Sequence, residues 1–173
     1  KTSFAQLVAD GLGVDINNIE VIHGDTDTVP FGVGTFGSRG MVVGGSAVVI
    51  ACDKVKEKMA RYAAMKLEAD ASDIEFAGGK IYVRSAPEKS ADFAEIAGLA
   101  YSAMELPPGT DPGLEETHFF EPPNFTFPFG AHVVLAEVDP ATGDVKILRY
   151  VAVDDVGNQI NPLLVAGQIH GGI

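Results

Sequence analysis

The chain has 173 residues, 46% of them hydrophobic, enough to bury one substantial core as a single domain or a domain of two lobes. Twenty-four acidic residues against twelve Lys and Arg leave a formal net charge of -12, a field that repels nucleic acid and anionic membrane and excludes both as partners. The longest apolar run, Met41 to Ala51, is interrupted by Gly44-Gly45-Ser46 and falls far short of the roughly twenty residues that a membrane-spanning helix needs.

Phe4, Leu7, Val8 and Leu12 share one helical face, so Ser3 to Gly11 reads as a first helix with Gly11 or Gly13 as its stop. Ile19 to Ile22 reads as a short strand that delivers the chain to His23-Gly24-Asp25-Thr26-Asp27-Thr28-Val29-Pro30. In the next stretch, Phe31 to Gly40, four of ten residues are glycine. Such a loop lets backbone touch a ligand, and the free amides ahead of the following helix, with the Arg39 guanidinium, suit anionic oxygens. It has neither a Walker-type lysine nor a G-x-G-x-x-G spacing, so on its own chemistry it is equally a tight connection into a helix. Asp25 and Asp27, with Asp154 and Asp155 downstream, read as carboxylates that orient turns through hydrogen bonds, because the glycine and terminal glutamate of a calcium loop do not follow.

Ser46 to about Leu67 is a long helix whose outer face carries Lys54, Lys56, Glu57, Lys58 and Arg61. Cys52 lies well inside it and reads as a small buried hydrophobe; as the single cysteine it forms no internal disulfide, and no C-x-x-C pair is present to hold zinc or an iron–sulfur cluster. Ile74-Glu75-Phe76 and Lys80-Ile81-Tyr82-Val83 alternate as strands joined through Ala77-Gly78-Gly79. Ala91 to Met104 reads as a helix with Ser90 as N-cap. Leu106 to Pro128 is a long Pro-rich irregular loop with no helical or strand period. Its Phe119, Phe120, Phe125 and Phe127, with Phe129 just beyond, argue for a surface resting on a partner lobe or subunit. His132 to Val138 and Val145 to Val153 form a second hairpin around Asp139-Pro140-Ala141-Thr142-Gly143-Asp144, and a final helix begins near the end of the chain. Strands and helices mix without strict βαβ alternation, so the fold class is α+β, helices packed on a largely antiparallel sheet with two hairpins.

His23, His118, His132 and His170 have no H-x-x-x-H or H-E-x-x-H spacing and make no protein-ligated metal site. His23 and His132 read as satisfied polar residues at strand ends.

Two blocks carry a resemblance. Gly24-Asp25-Thr26-Asp27-Thr28-Val29-Pro30 with Gly34-Thr35-Phe36-Gly37-Ser38-Arg39, and Asp154-Asp155-Val156-Gly157-Asn158-Gln159-Ile160-Asn161-Pro162 with Gly167-Gln168-Ile169-His170-Gly171-Gly172, are similar to the molybdopterin-binding large subunits of the molybdenum hydroxylases. That family includes xanthine dehydrogenase, aldehyde oxidoreductase and carbon monoxide dehydrogenase, and the Gly-Ser-Arg wording leans toward the carbon monoxide dehydrogenase-like branch. The resemblance covers all 173 residues. It implies that residues 1–173 are an internal piece of the molybdenum cofactor-binding domain, lacking an upstream G-Q-G element and a downstream catalytic glutamate. No catalytic residue and no metal ligand is therefore assigned within the chain.

What the resemblance adds is a ligand, molybdopterin cytosine dinucleotide carrying molybdenum. Thr35, Phe36, Gly37, Ser38, Arg39 and Gly40 would run beside the pterin and metal, Asp155, Gly157 and Asn161 would shape a second cradle, and Gln168 would hydrogen-bond the cofactor. The implied reaction is oxidative hydroxylation of an aldehyde or N-heterocycle, or oxidation of carbon monoxide. The implied partners are the rest of the large subunit, an iron–sulfur small subunit with 2Fe–2S clusters and an FAD medium subunit, in a bacterial cytoplasm. The competing expectation is a non-catalytic α+β module that binds an anionic metabolite at the glycine loop, residues 34–40.

Overall fold

Residues 1–29, 31–102 and 106–173 are described in the computed structural model, and the chain divides into two units, Lys1–Pro122 and Pro123–Ile173. In the first unit, helix α1 (Thr2–Leu12) ends at Gly13, whose left-handed φ of 67° closes the helix through its amide on the Ala9 carbonyl. A side chain at Gly13 would also run into the Phe76 carbonyl, 2.8 Å from an added Cβ. A 3₁₀ turn, Ile16–Asn18, follows, capped by Asp15, whose carboxylate accepts from the Asn17 amide at 2.9 Å.

The strand expected at Ile19 to Ile22 is absent. Ile19 has extended backbone, φ -111° and ψ 121°, but no strand among the described residues pairs with this segment. Local extension without a partner ladder does not make a strand.

A π-helical turn, Gly40–Gly45, leads directly into helix α2 (Ser46–Leu67), whose bounds are those read from the sequence. Glycines let α1 approach this entry closely. A Cβ on Gly11 would lie 3.3 Å from Cys52 Cβ, one on Gly44 would lie 2.9 Å from the Phe4 ring, and one on Gly45 would collide with Met41 Sδ and press on Leu7. Cys52 is buried there, as read. Burial raises its thiol pKa above the usual range, the neighbouring Asp53 adds to the shift, and Lys56 opposes it, which leaves a poor nucleophile.

Strands β1 (Ile74–Ala77), β2 (Lys80–Val83) and β3 (Ala86–Asp92) form an antiparallel sheet in the order β1-β2-β3. Ala77 pairs with Lys80 across Gly78-Gly79, both left-handed at φ 60° and 76°, as a two-residue turn matched to strand twist requires. Ser90 is not a helix cap: it pairs with Tyr82 inside β3, and helix α3 (Phe93–Ser102) starts later. Only Ala91 of β3 is buried, and Pro87 sits on this edge strand, so no alternating apolar pattern marked it. The expected end of the helix, Ala103-Met104, lies outside the described residues.

The core of this unit is formed by α2 and α3 against one face of the sheet. Met59, Tyr62 and Ala63 of α2, at i, i+3 and i+4, are fully buried with Ile81, Ile96 and Ala100, and Ile74, Val83 and Ala91 complete the cluster. Tyr62 Oη donates to the Asp111 carbonyl at 3.3 Å and the Gly113 amide to the Ala100 carbonyl at 2.7 Å. The opening of the irregular segment therefore lies on its own core, with Leu106 and Leu114 packed there. Its later aromatics, Phe119, Phe125 and Phe127, are exposed. Across α2 and α3, Lys66 Nζ lies 2.7 Å from Glu95; the hydrogen bond and then the charge of Lys66 hold the Glu95 carboxyl below its ordinary pKa.

In the second unit, β4 (Phe129–Val138) and β5 (Val145–Asp155) form an antiparallel ribbon with a register shift between Leu135 and Ala136, and helix α4 (Pro162–Gly172) follows. Asp139 organises the hairpin turn: its carboxylate accepts from the Ala141 amide at 2.8 Å, and Gly143 is left-handed at φ 79°. No described side chain of this unit is buried, although Val133, Leu135, Val151 and Val153 line one ribbon face and Val134 and Ile147 the other. Both sheets are antiparallel and helices pack on the larger one, so the α+β class holds.

Met59→Ala should cost about 2–4 kcal/mol, the range for emptying a packed core site, whereas the exposed Val49→Ala should cost below about 0.5 kcal/mol. Urea unfolding of the 173-residue chain followed by helical circular dichroism checks this; equal losses in the two variants would contradict the placement of the core.

Candidate functional site

Asp25 governs the approach to the glycine loop. Its carboxylate accepts from the Asp27 amide at 3.0 Å, its carbonyl accepts from the Val29 amide at 2.8 Å, and Gly24 before it has φ 71°. The carboxylate is occupied in shaping backbone, as the sequence indicated, and no group of His, Cys, Asp and Glu able to hold a metal ion exists among the described residues. Pro30 lies outside those residues.

The loop itself is built from unusual backbone. Gly34, Gly37 and Ser38 take φ values of 76°, 60° and 54°, and Arg39 returns to the right-handed region at φ -84°, ψ -6°. Left-handed residues followed by a right-handed one turn successive amides toward a common side, the arrangement of anion-binding backbone concavities. No backbone acceptor among the described residues takes the Gly37 or Ser38 amide. Ser38 is the telling residue, because a non-glycine at positive φ is strained by roughly 1–3 kcal/mol and persists only where its surroundings or its function demand it.

Side chains finish the loop. The Arg39 guanidinium lies 4.8 Å above the Phe36 ring centroid, a cation–π contact that restrains both. Thr35 lies across Gly40, whose added Cβ would stand 3.4 Å from Thr35 Cγ2. Nothing comes within 4 Å of a Cβ built on Gly34 or Gly37. These two glycines are thus required by backbone conformation and not by packing within the chain. At the loop's start, the Phe31 and Phe119 rings meet edge to face with centroids 6.2 Å apart, which ties the loop to the irregular segment of the same unit.

In the second unit, Asp155 Oδ1 accepts from the Gly157 amide at 2.9 Å, and Gly157 has φ 73°. Asn161, in extended conformation, caps α4 by accepting from the Leu164 amide at 3.0 Å, and Pro162 takes the first helical position. Asp155, Gly157 and Asn161 therefore form one strand–turn–helix connection, while Gln168 lies exposed on α4. His132, read from the sequence as a satisfied polar residue at a strand end, is satisfied but differently placed. It lies within β4 instead of opening it, with Nδ1 2.9 Å from Tyr150 Oη and Nε2 3.2 Å from Asp154 Oδ1. The signal was available only through strand register, which places residue 132 opposite 152.

Two shallow hollows mark the described surface, one lined by Lys1, Thr2, Ala5, Ile16 and Ile19, the other by Glu137, Asp139, Pro140, Asp144 and Lys146. Neither includes a predicted site residue; Thr35 to Ser38, Asp155, Gly157 and Gln168 are exposed, and Arg39, Gly40 and Asn161 are half-buried.

Residues 1–173 match the model of the molybdopterin cofactor-binding domain from end to end. The chain belongs to this family. The domain is 41% identical over its whole length to the carbon monoxide dehydrogenase large chain of Hydrogenophaga pseudoflava, covering 21% of that protein. It is 36% identical to the nicotine 6-hydroxylase large subunit of Paenarthrobacter nicotinovorans, again with 100% of this chain and 21% of the relative covered. Among solved structures, Cu,Mo-CO dehydrogenase in its carbon monoxide reduced state superposes with a TM-score of 0.88 at 40% identity, over 99% of this chain and 21% of that one. The chain thus spans about a fifth of the length of the relatives that it matches.

A molybdopterin's phosphate and pterin edge call for amide donors, a cation and groups that both donate and accept. Taken by itself, the first unit offers that chemistry in the left-handed Gly37-Ser38 pair and in Arg39 over Phe36, and the second unit in the exposed Gln168 amide.

Asn161→Ala should release the cap of α4 at a cost of about 1 kcal/mol, so that the Leu164 amide exchanges several-fold faster by hydrogen-exchange mass spectrometry. An unchanged rate would show that α4 is held without its cap.

Proposed function

We propose that this domain binds molybdopterin cytosine dinucleotide through Thr35, Phe36, Gly37, Ser38, Arg39 and Gly40, and through Asp155, Gly157, Asn161 and Gln168. The reading extends to the parent activity: an oxidoreductase that hydroxylates an aldehyde or N-heterocycle or oxidises carbon monoxide. The observation that carries it is the left-handed Gly37-Ser38 backbone, whose amides no backbone acceptor among the described residues takes, inside a chain matching the cofactor-binding family from residue 1 to residue 173.

When bound, the cofactor supplies the two-electron redox chemistry at molybdenum; the chain supplies position. Gly37 and Ser38 offer amides without a side chain in front of Gly37. Arg39 contributes a permanent positive charge whose freedom Phe36 limits, so little is lost on engaging a phosphate. Asp155 and Asn161 spend their oxygens on the turn and the helix cap, and act by fixing backbone. Gln168 can donate and accept at one edge. The names "large chain" and "large subunit" of the relatives support companion subunits, for which iron–sulfur and FAD carriers are the electron route proposed here. The anionic-metabolite reading uses the same loop amides and differs in requiring neither molybdenum nor pterin.

The test is metal and pterin-nucleotide analysis of the full-length subunit. Molybdenum and a cytidine nucleotide are expected; an anion-binding subunit without either would establish the alternative. In that protein Gly37→Val should lose molybdenum and turnover while circular dichroism is unchanged, because a β-branched residue at φ 60° distorts the loop and not the core. Parental turnover would reduce the loop to a connector. Arg39→Ala should weaken cofactor retention about tenfold, the equivalent of one charge-assisted hydrogen bond, and the isolated 173-residue chain should retain no molybdenum.

A further inference from the structure

One hydrogen-bonded cluster stands outside the residues proposed to hold the cofactor. On the β4–β5 ribbon His132 is directly opposite Ala152, while Tyr150 is opposite Val134 and Asp154 is opposite Gly130. Residues two apart on one strand share a face, so His132 sits diagonally between Tyr150 and Asp154, within reach of both. Ala152 is small enough for the imidazole to lie across it. The ring meets Tyr150 edge to face, centroids 5.6 Å apart, with Nδ1 2.9 Å from Tyr150 Oη and Nε2 3.2 Å from Asp154 Oδ1.

With a neutral imidazole, Nε2–H donates to the Asp154 carboxylate and Nδ1 accepts from the Tyr150 hydroxyl; an imidazolium donates from both nitrogens. A neutral imidazole satisfies both contacts without an orphaned atom. Gly130 completes the arrangement. A Cβ there would strike Asp154 Oδ1 and the Val153 carbonyl, each at 2.5 Å, so glycine opposite Asp154 is what leaves room for its carboxylate to lie along the ribbon toward His132.

Asp154 immediately precedes the turn assigned to the cofactor. Strand alternation sends Asp155 to the other face, where its carboxylate takes the Gly157 amide and starts the connection to Asn161. The end of β5 is therefore gripped on both faces, by His132 through Asp154 and by Asp155 through Gly157.

We propose that His132 is a positioning residue for the Asp155–Asn161 turn, holding Asp154 and so setting the angle at which the chain leaves β5. The geometry stands by itself; the consequence for cofactor binding rests on the function proposed above.

The test uses the full-length subunit with three variants. His132→Phe keeps a flat ring and loses both hydrogen bonds, His132→Gln restores an acceptor and a donor on one plane, and Tyr150→Phe deletes only the hydroxyl that orients the imidazole. By peptide-resolved hydrogen exchange on cofactor-stripped protein, residues 154–161 should exchange about fivefold faster in His132→Phe. Rates should return toward parental in His132→Gln, with β4 and the first half of β5 unchanged throughout. Unchanged exchange at 154–161, or faster exchange spread evenly over the ribbon, overturns the proposal. Should His132→Phe fail to fold, Tyr150→Phe carries the same localised expectation and the same refutation. Molybdenum content is the second measurement, expected to fall in His132→Phe and recover in His132→Gln. A parental subunit without molybdopterin but with the localised exchange pattern refutes the cofactor reading and leaves the positioning role standing. A molybdenum-loaded parent whose variants exchange normally does the reverse.

Discussion

The first unit is organised by one apolar interior: the buried faces of α2 and α3 against the three-stranded sheet. Met59, Tyr62 and Ala63 are each without solvent exposure, and with Ile81, Ile96 and Ala100 they exclude water from the only extensive apolar interior of the described chain. A fully buried side chain of this size contributes about 1.5–3 kcal/mol, so removing the α2 face would leave α3, the sheet and residues 106–114 with little to order them. The glycine loop is positioned at second hand. It runs through the π turn at Gly40–Gly45 straight into the first turn of α2, so a rigid α2 holds the far end of the loop still.

Glycine serves two physical ends in this unit. Gly11, Gly44 and Gly45 let α1 lie directly on α2 and its entry turn, and a Cβ at any of them meets Cys52, Phe4, or Met41 and Leu7. Gly34 and Gly37 face open space and are required by positive φ alone. The first kind is a packing constraint that a slightly shifted helix could relax. The second is a backbone constraint that no neighbour's movement relieves, and it is shared by Ser38, which takes the same strained region without being glycine.

In the second unit, apolar residues lie on both faces of the ribbon and this stretch of chain covers neither fully. Its local polar contacts are Asp139 in the hairpin, Asp155 at the turn and Asn161 at the helix cap. Each carboxylate or amide there binds a backbone amide two or three residues ahead. Such contacts are local, so they specify the path of the chain at the turn and at the helix cap.

The sequence by itself determined whatever depends on neighbours along the chain. The bounds of α2 followed from apolar spacing, the Gly78-Gly79 and Asp139–Asp144 turns from residues that accept positive φ or bind their own backbone, the burial of Cys52 from its place in the helix, and the family from two motif blocks. Tertiary structure alone decided what depends on partners. Ile19 is extended, but Ile19 to Ile22 pairs with no strand among the described residues, and no local pattern reports whether a ladder partner exists. Strand β3 was hidden because an edge strand with a single buried residue has no alternating apolar signature, and its presence moved the start of α3 past Ser90. The left-handed Ser38, the stacking of Arg39 on Phe36, and the His132–Tyr150–Asp154 chain were likewise illegible. A dihedral angle, a stacking distance and a register pairing across 18 and 22 residues are properties of three-dimensional neighbours, and residue order does not encode them locally.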